Sequence, residues 1–119
     1  AMAAGHYKLD NLCAVVDRNR LQISGNTEEV MAQDSQDDRW AAFGWHTLHA
    51  RGNDVVDLER AFQEAEAFRG KPTVILADTV KGCGVSFMEG KAEWHHKVPT
   101  EEEYERAKQE LLEKEAAAQ

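Results

Sequence analysis

The 119-residue sequence has only two cysteines, Cys13 and Cys83. That is too few for a disulfide framework, so both are expected as free thiols in a reducing compartment. No apolar run approaches the ~20 residues that a membrane span requires, and no basic-then-apolar segment opens the chain, so a cytoplasmic location is expected. Basic residues are in deficit: 14 Lys and Arg against 22 Asp and Glu give a formal charge of −8. A nucleic-acid surface needs clustered cations to replace phosphate counterions, and that class is excluded. Half of the negative charge is local, since residues 101–119 hold seven Glu against three Lys or Arg, the pattern of a solvated helix face. Zinc-site motifs are missing too. There is no Cys-x-x-Cys or His-Glu-x-x-His, and His46-x-x-His49 lies on an expected strand whose alternation points the two rings to opposite faces. No internal repeat is visible.

What is present is an α/β pattern of a size that suits one domain with a single core. Leu12 to Val16 is a run of five apolar residues, read as a strand buried on both faces of a parallel sheet and ending at Asp17, Asn19 and then Gly25. Ala1 to Tyr7 reads as the end of a helix without an N-cap, as though the chain starts within an element. The polar stretch Asn26 to Arg39 opens on an Asn26-Thr27 turn signal. A helix from about Asp34 to Phe43, capped by Asp34 or Ser35, would turn Trp40 and Phe43 inward and stop at Gly44. Trp45 to Ala50 alternates as a strand, with Trp45, Thr47 and His49 on one face and His46, Leu48 and Ala50 on the other. Asp54 then caps a helix with Leu58, Ala61, Phe62, Ala65 and Phe68 on one stripe, ended by Gly70-Lys71-Pro72. Thr73 to Val80 is a second buried strand, so strand, helix and strand predict a right-handed parallel crossover. Lys81 to Pro99 shows no period and reads as a long functional loop. Thr100-Glu101-Glu102-Glu103 is a capping box, opening a helix with a thin stripe of Tyr104, Ala107 and Leu111.

Ligands of open α/β sheets bind beyond the carboxyl ends of the strands, which places Asp17-x-Asn19 in view. It reads either as a polar cap on a turn or as an oxygen donor to a hard cation, with the Asn19 side chain and the Leu21 carbonyl as ligands. An EF-hand is excluded: Asp17, Asn19 and Glu28 match positions one, three and twelve, but positions five and six are Leu21 and Gln22. Lys81-Gly82-Cys83-Gly84 is either an ordinary loop or a backbone that approaches a diphosphate offset by Lys81. In Trp94-His95-His96-Lys97 the adjacent histidines are candidates for proton transfer, or surface residues.

Tyr7-Lys8-Leu9-Asp10-Asn11-Leu12, Asp17-Arg18-Asn19-Arg20-Leu21, Phe43-Gly44-Trp45, Lys81-Gly82-Cys83-Gly84 and Trp94-His95-His96-Lys97 together resemble, in order and spacing, the diphosphate-binding half of transketolase. The likeness spans nearly residues 1–99, implying the last part of a thiamine diphosphate-binding domain there and an acidic C-terminal helix over 100–119. It implies transfer of a two-carbon ketol unit between sugar phosphates, as in the pentose phosphate pathway, with thiamine diphosphate and Mg²⁺ or Ca²⁺. By resemblance Asn19 binds the metal through its side chain and Leu21 through its carbonyl. Ile23 packs near the cofactor ring, Lys81 and Lys97 lie near the cofactor, and His95 reaches the substrate. His96 stands where the family's Trp-His-Gly-Lys segment has glycine, so His95 and His96 are both catalytic candidates.

The family's Gly-Asp-Gly, its upstream histidines and the activating glutamate of the partner half are absent from these residues. The resemblance therefore implies an N-terminal subunit of a split enzyme that ends here, inactive alone. Its partners would be a C-terminal subunit or domain, in a homodimer or a heterotetramer of halves, and sugar phosphates. A related thiamine diphosphate enzyme such as deoxyxylulose phosphate synthase, and a non-catalytic α/β assembly module, are the alternatives.

Overall fold

A computed structural model describes residues 1–33 and 35–117. Asp34, one of the two expected helix caps, lies outside them. The elements in chain order are α1 (Met2–His6), β1 (Cys13–Arg18), β2 (Leu21–Gln22), β3 (Gly25–Asn26), α2 (Thr27–Val30), α3 (Gln36–Ala42), β4 (His46–Arg51), α4 (Val55–Ala67), β5 (Thr73–Asp78) and α5 (Glu101–Ala117), with a 3-10 helix over Ala92–His95. β1, β5 and β4 form a parallel sheet in that spatial order, and β2 and β3 form a small antiparallel hairpin. This is the expected α/β class, a parallel sheet flanked by helices. Among the described residues no helix is long and apolar enough to cross a membrane. Both cysteines are free thiols.

Strand alternation builds two cores on opposite faces of the sheet. Trp45, Val74 and Leu76 pack with Ala4 of α1 and are flanked by Ala14, Val16 and Trp40. The indole of Trp45 donates to the carbonyl of Ala1 at 2.9 Å and lies edge-on to Trp40. Gly5 makes this closeness possible: a Cβ there would stand 1.7 Å from the Phe43 carbonyl oxygen. On the other face Ala50, Ala61, Ala65 and Ile75 form the second core, with Leu48 and Leu58 beside them. α4 begins where expected, with Asp54 Oδ1 accepting the Val56 and Asp57 N–H groups at 3.0 and 3.1 Å. Asp57 in turn accepts the Arg51 N–H at 2.7 Å and an Arg60 bond at 2.9 Å, which hold its carboxyl below the ordinary value of 3.8.

Several expectations are corrected. β1 is not buried on both faces: it is an edge strand paired only with β5, and its residues alternate between exposed and half-buried. Val15 sits on the same face as its register partner Ile75, but α4 covers β4 and β5 and stops short of it. Phe62 is 47 % exposed and Phe43 42 % exposed, so neither is a member of the two cores. Phe68 lies past the end of α4 and stacks on His46 at 3.8 Å. Ser35 takes the N-cap place of α3 in the left-handed region and makes no side-chain cap. The chain between Asn19 and Met31 holds elements that were not foreseen beyond the Asn26-Thr27 turn signal. It holds the β2–β3 hairpin and α2, which Asn26 caps by accepting the Glu28 N–H at 2.9 Å. Strands of two residues and a single helical turn are too short to show a period.

Candidate functional site

β1 and β5 end side by side, Arg18 registered on Asp78. Thr79 donates its hydroxyl to Asp17 Oδ1, and Arg20 reaches Asp78 Oδ1 at 3.3 Å. Asn19 Oδ1 accepts the Leu21 N–H at 2.9 Å, and Arg20 adopts φ +62°, so the chain reverses at once into β2. β2 and β3 are joined by Ile23 and Ser24 alone, which puts Ile23 at the hairpin tip with 64 % of its surface exposed. On the β5 side, Asn53 Oδ1 accepts the Val80 N–H at 2.7 Å and steers the chain into the segment that starts at Lys81.

That segment was expected as a loop without regular structure, and it is instead closely hydrogen-bonded. The Gly90 N–H donates to the Lys81 carbonyl at 2.9 Å, and the Gly84 N–H to Glu89 Oε1 at 2.8 Å. Two of its glycines are required by packing within the protein: a Cβ on Gly82 would meet Met88 at 2.7 Å, and one on Gly84 would meet Leu111 of α5 at 2.9 Å. The 3-10 helix follows and carries His95 at its end, with the His95 and His96 rings edge-on at 4.5 Å.

Asn19, Leu21, Ile23, Lys81 and His95 line one cavity of about 320 Å³, together with Gln22 and Ala92. A second cleft of about 410 Å³ shares Asn19, Leu21 and Lys81 and continues past Thr79 to Gly90. His96 and Lys97 do not line the first cavity. Lys97 is 2.5 Å from Glu103 Oε1 and lies over the Trp94 ring at 4.2 Å. That ammonium, with the Thr100 N–H, holds the Glu103 carboxyl below the usual Glu range. Thr100 and Glu103 also form the expected reciprocal cap of α5, at 2.9 and 3.2 Å. A larger cleft of about 460 Å³ opens at the opposite end of β1, between Cys13 and Arg69, and holds none of the candidate residues.

The donor set suits a hard cation and an anion. The Asn19 carbonyl has a second lone pair beyond the one that Leu21 uses, and Lys81 lines the same cavity. Arg18, which borders an adjoining pocket with Asn19 and Leu21, has a buried Nε without a hydrogen-bond partner among the described residues. Clusters of three or more His, Cys, Asp or Glu that could hold a metal are absent among the described residues. His46 and His49 point to opposite faces as expected, His49 pairing with Asp37 at 2.8 Å. Ala92 and Gln22 were not foreseen as lining residues, and neither carries a chemical signal that would have revealed it.

Known proteins resemble this chain in sequence and in fold. Residues 1–116 match the family described as transketolase, thiamine diphosphate binding domain. The chain is 54 % identical over 114 residues to an apulose-4-phosphate transketolase subunit of Phocaeicola vulgatus, covering 96 % of this chain and 41 % of that protein. It is 43 % identical over 117 residues to the 6-deoxy-6-sulfo-D-fructose transketolase subunit SqwG of a Clostridium species, covering 98 % and 42 %. It thus spans less than half the length of these curated relatives. Among solved structures, the transketolase of Campylobacter jejuni superposes with a TM-score of 0.84 at 29 % identity, over 92 % of this chain and 17 % of that one. A family match over nearly every residue, close relatives and a shared fold establish that this chain belongs to the transketolase family, within its thiamine diphosphate-binding domain.

Proposed function

We propose that these residues form one side of a thiamine diphosphate and divalent-metal site in an enzyme that moves a two-carbon ketol unit between sugars bearing a terminal phosphate or sulfonate. The observation that carries this reading is the convergence of Asn19, Leu21, Lys81 and His95 on one cavity beyond the carboxyl ends of β1 and β5. Asn19 offers its side-chain oxygen, and Leu21 its carbonyl, to Mg²⁺ or Ca²⁺; Mg²⁺ takes few protein oxygens and fills its shell with phosphate and water. Lys81 balances diphosphate charge. Ile23 presents an apolar surface to the cofactor ring. His95, exposed at the rim, exchanges a proton with a substrate hydroxyl, with His96 against its ring as the alternative donor. For Lys97 to join them, its ammonium must exchange Glu103 for the anion. Thiamine diphosphate, when bound, supplies the nucleophilic carbon and the electron sink for ketol transfer.

Both relatives named above are subunits, so the activity is assigned to an assembly with a second subunit or domain, and the 119 residues alone are expected to be inactive. The relatives' names also favour sugars other than the common pentose phosphates as substrates. In the complete assembly, Asn19→Ala should raise the thiamine diphosphate concentration needed for half-saturation at fixed Mg²⁺ by about tenfold or more. Titration followed by tryptophan fluorescence measures it, and an unchanged value removes Asn19 from the metal shell. Absence of two-carbon transfer from any phosphorylated or sulfonated ketose to an aldehyde acceptor, with cofactor and metal in excess, overturns the reading.

A further inference from the structure

We propose that α5 is a clamp on the 81–97 segment and that Glu110 is its central positioning residue, holding Lys81 and His95 at the cavity through Ser86, Phe87 and Trp94. The consequence for catalysis rests on the function proposed above; the clamp itself does not.

Glu110 uses both carboxylate oxygens on one residue 24 positions away, Oε2 accepting the Ser86 N–H at 2.6 Å and Oε1 the Ser86 hydroxyl at 2.8 Å. Arg106, one turn earlier, donates to Glu110 Oε1 and to Ser86 Oγ, each at 3.1 Å. Its guanidinium lies over the Phe87 ring at 4.9 Å. The Phe87 carbonyl then accepts the Trp94 indole N–H at 3.2 Å, and the two rings stand 5.6 Å apart. Trp94 belongs to the 3-10 helix whose Ala92 and His95 line the cavity. At the other end of the same segment, the bond from Gly90 to the Lys81 carbonyl ties the clamped turn to Lys81.

The contacts of α5 come from Glu103, Arg106, Glu110 and Leu111, a spacing of three, seven and eight that marks one helix face. Nothing in α5 is buried, so the helix adds little to either core. Its specific contacts are spent on the segment that bears four of the candidate site residues, two of which line the cavity. The Glu110 side chain is only 21 % exposed, and the Ser86 amide, the Ser86 hydroxyl and Arg106 hold its carboxyl below the usual Glu range, so the clamp is charged and closed near neutral pH.

Two measurements test this together: amide hydrogen exchange of the full-length subunit, and cofactor titration of the complete assembly. Glu110→Ala should speed exchange of residues 84–97 by about tenfold, while β5 amides keep their protection. It should raise half-saturating thiamine diphosphate about fivefold, through Lys81, and lower turnover at saturation about threefold, through the loosened His95. Ser86→Ala should add little in that background. Unchanged exchange over 84–97, or additive effects of the two substitutions, overturns the clamp. Faster exchange with unchanged half-saturation overturns the positioning role. If Glu110→Ala also unprotects β5, Glu110→Gln is read by the same measurements and must show the same changes at smaller size; unchanged values overturn the proposal. An assembly that never binds the cofactor sinks the proposed function, whereas exchange over 84–97 still decides the clamp.

Discussion

β1 and β5 are neighbouring parallel strands of similar composition, and they meet different fates. Ala14-Val15-Val16 lies in register with Val74-Ile75-Leu76, yet Ile75 is fully buried and its partner Val15 is 49 % exposed. The difference is position rather than sequence. β5 is central, with Trp45 and Ala4 on one face and α4 on the other, while β1 has one neighbour and one covered face. An apolar run announces a strand; which faces are covered depends on what packs there. The candidate site lies where these unequal strands end together, so a rigid strand and an open one each deliver part of it.

The largest test of this contrast is Ile75→Ala, which should cost about 2–5 kcal/mol in urea unfolding of the full-length subunit, because it opens a void between β5 and α4. A loss under about 1 kcal/mol would mean that the second core is loosely packed. Asp54→Ala should cost about 1 kcal/mol by freeing the first amides of α4, the helix that makes the two strands unequal. No change on thermal melting would show that the helix holds without its cap. Val15→Ala should be the mildest, under about 1 kcal/mol for a half-exposed side chain. If in the complete assembly it costs as much as Ile75→Ala, the open face of β1 is covered there and the contrast belongs to this segment alone.

Much of the fold is legible in the residues. Alternation from Trp45 to Ala50, the Asp54 cap, the apolar run at Thr73 and the Thr100 and Glu103 box each have a local cause, and each forms as the pattern predicts. The site is legible in part. The order of motifs places Asn19, Leu21, Ile23, Lys81 and His95 in one family pattern, and they do share a cavity. The rest depends on which side chains pair once the loop and α5 are folded together. Nothing near Ser86 announces Glu110, and nothing near Lys97 says that Glu103, six residues on, will hold its ammonium away from the cavity.

By itself the sequence determined the identity of the longer elements and the family, because period, capping and motif order are local properties of the chain. Only the tertiary structure decided that β1 lies at an edge, that Gly82 and Gly84 close on Met88 and Leu111, and that α5 grips the segment carrying Lys81 and His95. Each of these is a choice of packing partner, and partners are selected by shape and charge across the fold, which no local pattern encodes.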